Sequence, residues 1–322
     1  MKAGTVWGET VMSGASVSDR TVNPLIDLAN DVISLEPVLL QLLIFGLLLG
    51  GIYGLVGLGL TMIFGVMDVM NFAHAAFLAI GMYVTFVMFS SFGISPLFSL
   101  PLAFAVLLVI GIAIERTTIE PILDAPPQNQ IIITLGLWFI IEALIEIYFS
   151  PDPRTINDSY GSFAVGGVAI PEGQLYSLII AVVTMAATWY FLYRTDTGRR
   201  IRATADNRVG AQYVGIDVTR INYTTFGLGA GLAGIAGAAI TMVRPFDPYT
   251  GEIYLINAFI VVVLGGIGSF PGAVLAGLII GLIEVFGSYY FPGTIYQILI
   301  FLVFILTLLV KPNGLFGGAQ HD

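Results

Sequence analysis

The sequence predicts an all-α protein, a polytopic transmembrane helical bundle of about 8–10 membrane passes with broken or re-entrant helices. Its composition is the first reason, because 57% of the 322 residues are hydrophobic and only 10% are charged, with a mean hydropathy of +0.92. The second reason is that the apolar runs reach the roughly 20 residues that a helix needs to cross a hydrocarbon layer of about 30 Å. The third is the 38 glycines, because small residues let helices pack closely in a bilayer and accompany breaks.

The composition also excludes several classes of protein. With no cysteine and two histidines, neither a disulfide framework nor a thiolate metal site is expected, and we predict no metal. A net charge of −9 argues against a nucleic-acid partner. A Walker A loop needs Gly-Lys-Ser/Thr, but the two lysines are Lys2, before alanine, and Lys311, before proline. We therefore predict no cofactor, no ATP hydrolysis by this chain and no enzyme activity.

The first third of the chain divides into an extension and three expected spans. Residues 1–37 form a polar extension, in which Asn23 and Pro24 indicate the start of an interfacial helix over residues 24–35. The transmembrane domain is expected over residues 38–317. Its first apolar run, residues 38–66, is longer than one perpendicular span and is expected to tilt or bend. Further spans are expected over residues 72–89 and 96–114.

The middle of the chain contains two loops on opposite sides of the membrane. Three prolines between residues 120 and 130 indicate the first loop. A span over residues 131–149 then leads to the second loop, residues 150–173, where three acidic residues face Arg154 alone. Because positive residues concentrate on the cytoplasmic side, this second loop is expected outside. A span over residues 175–193 returns the chain to the inside.

Residues 194–220, here called the basic segment, contain six of the twelve basic residues. This bias predicts a cytoplasmic location. Lys311 places the carboxyl terminus inside as well, with a tail over residues 318–322, and about nine passes counted backward place the amino terminus outside. The basic segment has two interpretations of about equal weight: a topology signal that contacts only lipid, or a short surface helix over residues 203–214 that docks on another protein.

Two apolar stretches interrupted by glycine, residues 57–81 and 265–287, hint at an internal repeat of the kind that surrounds a substrate path in transporters. Residues 265–272 are either a tight turn between helices or a break at membrane depth whose free backbone groups line a path. Asn71 and His74 lie three residues apart, and a buried histidine is more often structural than a ligand. Ionisable residues inside spans are costly and therefore functional candidates. Here they are Glu142, Glu146 and Glu284.

Four motifs resemble a known family. They are Asn71-Phe72-Ala73-His74; residues 202–207 (RATADN) followed by Val214-Gly215-Ile216-Asp217; residues 263–273 (VLGGIGSFPGA); and residues 311–317 (KPNGLFG). Their types and order are similar to those of the permease subunits of branched-chain amino-acid ABC importers, of the LivH type. The resemblance covers about residues 38–317. One departure is that Ala75-Ala76 follows His74 where many relatives have Gly-Glu.

The resemblance implies a plasma-membrane permease that forms a heterodimer with a related LivM-type subunit. It also implies two separate ATP-binding subunits and an extracytoplasmic substrate-binding protein. Residues 195–220 would then form the cytoplasmic coupling loop. The residues expected to contact the ATPase are Arg199, Arg200, Arg202, Ala203, Asp206, Asn207, Val214 and Gly215. Those expected along the translocation path are Asn71, His74, Gly265, Gly266, Gly268 and Glu284.

Two alternatives remain open from the sequence. A urea or short-amide permease of the same superfamily would share the architecture. An ion- or proton-coupled secondary transporter would work without ATPases and would use Glu142, Glu146 or Glu284 as a relay.

Overall fold

The structure is a computed structural model that describes residues 37–156, 160–165, 168–291 and 293–316. The helix expected over residues 24–35 and the tail 318–322 lie outside the described residues. Within them the chain forms eleven α-helices and one small hairpin. The helices are α1 (Pro37–Met67), α2 (His74–Phe92), α3 (Pro96–Ile114), α4 (Pro127–Phe149), α5 (Glu172–Arg194), α6 (Asp196–Asp206), α7 (Arg208–Tyr213), α8 (Val218–Thr241), α9 (Thr250–Gly265), α10 (Phe270–Tyr290) and α11 (Ile295–Val310), and the antiparallel strands are β1 (Ser162–Val165) and β2 (Val168–Pro171).

The predicted helical membrane bundle is confirmed. Seven helices in the described part of the chain are long and apolar enough to cross a membrane, and two shorter apolar helices, α9 and α11, accompany them. Apolar helices are expected here because a lipid environment requires every backbone amide to be satisfied within its own segment. The chain is a multi-pass membrane protein.

Several boundaries differ from those expected. Helix α1 matches the first expected run and is continuous over 31 residues, because its glycines pack against other helices and do not break the backbone hydrogen bonding; other elements differ. The first loop is shorter than expected, since a π-helical turn (Glu115–Ile119) and a 3-10 turn (Glu120–Ile122) extend α3. The expected surface helix over residues 203–214 is two helices, because Asn207 has an extended backbone and caps α7.

Contacts between helix ends show which termini share an end of the bundle. Tyr223, near the start of α8, donates a hydrogen bond of 2.8 Å to Glu120 beyond α3. Gly65, near the end of α1, packs against the main chain of Gly268 in the turn before α10. We call the side of the bundle that contains these helix termini and the basic segment the basic end. Gly314, beyond α11, packs against Gly266 at the same end, so Pro37 and Lys311 lie at opposite ends of the bundle.

The bundle contains two halves of opposite direction. Helices α1, α2 and α3 correspond in order and approximate length to α8, α9 and α10. The most extensive packing in the molecule is reciprocal, because α1 packs on α10 and α8 packs on α3. The internal repeat therefore covers residues 37–114 and 218–290, and not only the two glycine-interrupted stretches that hinted at it.

Glycine seams bring these helix pairs into backbone contact. On α10, a Cβ at Gly277 or Gly281 would overlap the main chain of Gly54 or Gly50 in α1. On α8, a Cβ at Gly234 would lie 2.7 Å from the carbonyl oxygen of Ala103 in α3. Because there is no hydrophobic driving force between helices in lipid, van der Waals packing of small residues provides the attraction between them.

Gly277→Val should therefore destabilise the bundle. The added side chain meets the α1 backbone, which cannot rotate away, and overpacking of this kind costs about 1–3 kcal/mol or more. Thermal unfolding in detergent should show a lower melting temperature than for Gly136→Val, because a Cβ at Gly136 has nothing within 4 Å. Equal melting temperatures for the two variants would contradict the importance of the seam.

Candidate functional site at the centre and basic end of the bundle

Two helices begin in the interior of the bundle, where their amino termini meet. The first residue of α2, His74, lies beside α1, with its Nε2 atom 3.3 Å from the carbonyl oxygen of Val56. Val56 precedes the end of α1 by about three turns, or roughly 16 Å along the helix axis. Gly251, at the start of α9, packs against the main chain of Ala75 so closely that a Cβ would overlap it. Residues 68–73 and 242–249 are thus the non-helical connections that lead to these two starts.

Asn71 and His74 lie at this junction. Both are fully buried, and Asn71 precedes α2 instead of sharing a helical face with His74. Neither amide atom of Asn71, nor Nδ1 of His74, has a hydrogen-bond partner among the described residues. Because a buried unpaired polar group costs about 1–3 kcal/mol, such groups mark candidate functional positions. Their place on a translocation path stays a prediction.

Glu284 belongs to a polar cluster in the interior, formed by Tyr53, Arg244, Tyr254, Asn257 and Glu284. The Tyr53 hydroxyl donates a hydrogen bond of 2.6 Å to Oε2 of Glu284. Its ring lies 5.8 Å from that of Tyr254, which Arg244 contacts by a hydrogen bond. Asn257 also hydrogen-bonds to Tyr53. The cluster links α1, α9 and α10, so Glu284 is held by the bundle and is not isolated in lipid.

Gly265, Gly266 and Gly268 lie in the turn between α9 and α10 at the basic end. Gly266 and Gly268 have φ values of 96° and 76°, a region that favours glycine. The Ser269 hydroxyl caps α10 by accepting a hydrogen bond of 3.2 Å from Gly272 N–H. The geometry is that of a tight turn between two helices, and the role of these glycines in a substrate path stays a prediction.

The basic segment forms a helical platform outside the bundle. The side chains of Thr195, Asn207 and Asp217 cap α6, α7 and α8 by accepting hydrogen bonds from backbone N–H groups. These caps explain why a polar stretch folds locally, since each satisfies an otherwise unpaired helix donor. The platform packs on the ends of α1, α5 and α8.

Most residues expected to contact an ATPase are exposed on this platform. Arg199 forms an exposed ion pair with Asp196, whereas Arg202 is half-buried, with its guanidinium 4.2 Å from the centre of the Tyr193 ring. The exposed members are Arg199, Arg200, Ala203, Asp206, Asn207, Val214 and Gly215. Their contact with another subunit stays a prediction.

Two residues of the platform were missed by the sequence analysis. Val209 and Tyr213 are 59% and 87% exposed, and with Val214, 77% exposed, they form an apolar patch on α7 and directly after it. Exposed apolar residues outside the membrane-spanning helices mark interaction surfaces. Their spacing of four and five residues on a short polar helix is the sequence signal that could have identified them.

Glu142 and Glu146 are half-buried on α4. The Trp138 indole donates a hydrogen bond of 2.9 Å to Oε2 of Glu142. The Tyr249 hydroxyl, just before α9, forms a hydrogen bond with Glu146. Through Tyr249, Glu146 links α4 to the connection that precedes α9.

The bundle has two inverted halves, and two of its helices start at membrane depth. Together with the helical platform outside the bundle, these features define a multi-pass membrane transport protein. The family model for the permease component of branched-chain amino acid transport systems matches residues 42–308, so the chain belongs to this family. This agrees with the predicted resemblance.

Individual relatives are similar over most of their length. BraD, a high-affinity branched-chain amino acid permease protein of Pseudomonas aeruginosa, is 31% identical over 298 residues, which are 88% of this chain and 97% of the relative. LivH of Escherichia coli gives the same identity and coverage. A probable LivH of Methanocaldococcus jannaschii is 29% identical over 82% of this chain and 88% of its own. No solved structure was found to match the chain. These relatives are transport permeases, which fits the prediction of no enzyme activity.

Tyr53→Phe should destabilise the protein, because it removes the donor to Glu284 and leaves a carboxylate oxygen without that partner, at a cost of about 1–3 kcal/mol. Thermal unfolding in detergent measures the loss. Tyr148→Phe, at an exposed position on α4, is the matched control and should leave the melting temperature unchanged. A Tyr53→Phe variant as stable as this control would show that the pair does not hold α1 to α10.

Proposed function

We propose that this chain is a membrane-spanning permease subunit of an ABC importer that translocates branched-chain, hydrophobic amino acids across the plasma membrane. The observation that carries the proposal is the family match over residues 42–308, together with relatives named as branched-chain amino acid permeases over nearly their whole length. ATP would be used by partner subunits, because the sequence contains no Walker A loop.

The platform at the basic end is the proposed ATPase docking surface. Its capped helices are short, stand outside the bundle and present an exposed apolar patch of Val209, Tyr213 and Val214. The platform packs on α1, α5 and α8, so a rigid displacement of α6 and α7 would act on three spans at once. These features support a role in transmitting the motion of ATPase subunits.

The proposed orientation follows from charge. The basic end, which holds the six arginines of the basic segment, Arg116 and Lys311, would face the cytoplasm. The amino terminus, the acidic residues of the loop 150–173 and the hairpin β1–β2 would then face outward, where a substrate-binding protein delivers its cargo. A related LivM-type permease would complete the translocation unit, and lipid would cover the remaining apolar surface.

The alternatives have less support. A urea or short-amide permease would share the fold, but the printed functions of BraD and LivH favour amino acids. An ion-coupled transporter would need an interior relay, whereas Glu284 is bonded to Tyr53 and Glu142 to Trp138.

Reconstitution of the tagged chain with its neighbouring subunits tests the proposal. We expect ATPase subunits and a second permease to co-purify, and leucine uptake into proteoliposomes to require both ATP and the binding protein. Leucine uptake by this chain alone, driven by an ion gradient, would instead establish a secondary transporter.

Reversing both charges at Arg202 and Asp206 should uncouple ATP hydrolysis from transport, because the platform would present the wrong charges to the ATPase. We expect leucine uptake to fall at least about tenfold while hydrolysis continues. Tyr193→Leu is the control, since it removes only the ring under Arg202 and should reduce uptake less. Unchanged coupling in the doubly reversed variant would reduce the basic segment to a topology signal.

A further inference from the structure

The polar cluster of Tyr53, Arg244, Tyr254, Asn257 and Glu284 contains one acidic and one basic side chain. The hydroxyl of Tyr53 donates the hydrogen bond of 2.6 Å to Glu284 and is itself bonded to Asn257. At the other side of the cluster, Arg244 forms a hydrogen bond with Tyr254, whose ring centre lies 5.8 Å from that of Tyr53. A chain of contacts thus runs from the carboxylate through two neighbouring tyrosines to the guanidinium.

The elements that carry the cluster pack directly on one another. Helix α1 packs on both α9 and α10, and α9 packs on α10. Arg244 lies in the connection before α9, two residues ahead of Phe246, whose main chain exchanges hydrogen bonds of 2.7 and 2.9 Å with Arg154 of the loop 150–173. In the proposed orientation this loop faces outward, so the cluster is on the side from which substrate arrives.

The two opposite charges of the cluster do not neutralise each other directly. In the described part of the chain both ion pairs lie in the basic segment, so Arg244 and Glu284 form none. Both side chains are half-buried, and a charge removed from water is costly unless an opposite charge accompanies it. This arrangement favours a ligand that brings a charge to each of them.

Both charged groups also retain bonding capacity. The Tyr53 hydroxyl engages Oε2 of Glu284, which leaves Oε1 for another donor. The guanidinium of Arg244 has five N–H donors, more than the single hydroxyl of Tyr254 can accept. A ligand that fits both groups therefore carries a donor with positive charge at one end and an acceptor with negative charge at the other.

We propose that the polar cluster binds the zwitterionic head group that all α-amino acids share, and this inference rests on the proposed function. The α-ammonium would donate to Oε1 of Glu284, and the α-carboxylate would accept from Arg244. A planar guanidinium pairs well with a carboxylate, and aromatic rings such as those of Tyr53 and Tyr254 attract an ammonium. One ligand would thus complete both half-buried groups at once.

Asn257 and Tyr53 are positioning residues in this site. Because the Tyr53 hydroxyl donates to Glu284, it accepts from the Asn257 amide, and this relay fixes the carboxylate in place. The site also separates the substrate classes that share this architecture. A neutral short amide such as urea carries neither charge and would leave both groups of the cluster unpaired.

Leucine uptake by the whole importer tests the two charges one at a time. Glu284→Gln keeps an acceptor for Tyr53, and Arg244→Gln keeps a donor for Tyr254, so both variants should assemble with the ATPase subunits. Each should lower uptake by about tenfold or more, because one charge of the ligand loses its partner. Glu252→Gln, which removes an exposed carboxylate of α9, is the matched control and should transport normally.

The outcomes separate this inference from the proposed function. Normal uptake by either variant overturns the inference alone. Loss of assembly in either variant would assign the two charges a structural role and would overturn it as well. Leucine uptake that never requires ATPase subunits would instead contradict the proposed function.

A thiol beside the cluster gives a readout that a purely structural role would not change. The chain has no cysteine, so Ile253→Cys introduces a single thiol at an exposed position of α9, one helical turn before Asn257. In the assembled importer, leucine should slow its modification by the neutral reagent methyl methanethiosulfonate. Neither 2-hydroxy-4-methylpentanoate, which lacks the ammonium, nor 3-methylbutylamine, which lacks the carboxylate, should do so.

The same thiol reports on the two charges. Glu284→Gln and Arg244→Gln should each abolish the protection by leucine, whereas Glu252→Gln should leave it intact. Equal protection by all three compounds would show that only the apolar side chain is recognised, and it would overturn the inference. Protection that survives loss of either charge, no protection by leucine, or a thiol that is never modified would overturn it too.

Discussion

The structure depends on one constraint: irregular backbone at membrane depth must be shielded from lipid. Two connections, residues 68–73 and 242–249, lead to helices that begin inside the bundle. Their shielding is possible because glycine seams bring α1 onto α10 and α8 onto α3, with little more than backbone between them. The close packing therefore makes the interior helix starts possible, since more widely spaced helices would leave the unpaired backbone amides exposed to lipid.

The seams also explain how a platform at one end can act on the centre. Interiors as densely packed as this one transmit displacement instead of absorbing it. Helix α1 runs without a break from the basic end to Val56, which contacts His74, and on to Tyr53 of the polar cluster. A movement of α1 would therefore displace the residues where the starts of α2 and α9 meet. The contacts of Tyr53 with Glu284 and Tyr254 join α1 to α10 and α9 near the same level.

Much of this architecture follows from the sequence, and the remainder does not for physical reasons. Hydrophobic length identified the spans, and the arginines of the basic segment identified the end that carries the platform, because both signals depend only on local composition. The interior starts of α2 and α9 were not predicted, since apolar periodicity gives no information about depth. The break at Asn207 was missed for another reason: helix-forming residues such as Ala203, Ala205 and Ala211 lie on both sides of it, and the capping side chain of Asn207 is what separates the two helices.

Within the site, the sequence identified Asn71, His74 and Glu284 as polar residues in apolar surroundings, but not their partners. The bond between Tyr53 and Glu284 joins residues far apart in the chain, and no local pattern encodes such a contact. The bond between Tyr249 and Glu146 has the same origin, because it joins α4 to a connection about a hundred residues later in the chain. Polar residues can thus be found from sequence, while their grouping requires the fold.

The turn between α9 and α10 has a bearing on the order in which the protein forms. Backbone N–H groups of Leu315 and Phe316 donate hydrogen bonds to the carbonyls of Leu264 and Gly265, the last residues of α9. Helix ends leave such carbonyls without intrahelical partners, so α9 is completed by residues some fifty positions later in the chain. During synthesis the second half of the bundle cannot reach its final state until that segment has emerged from the ribosome. The first half has its seam partners on α8 and α10, so its packing too is completed only after those later helices have been made.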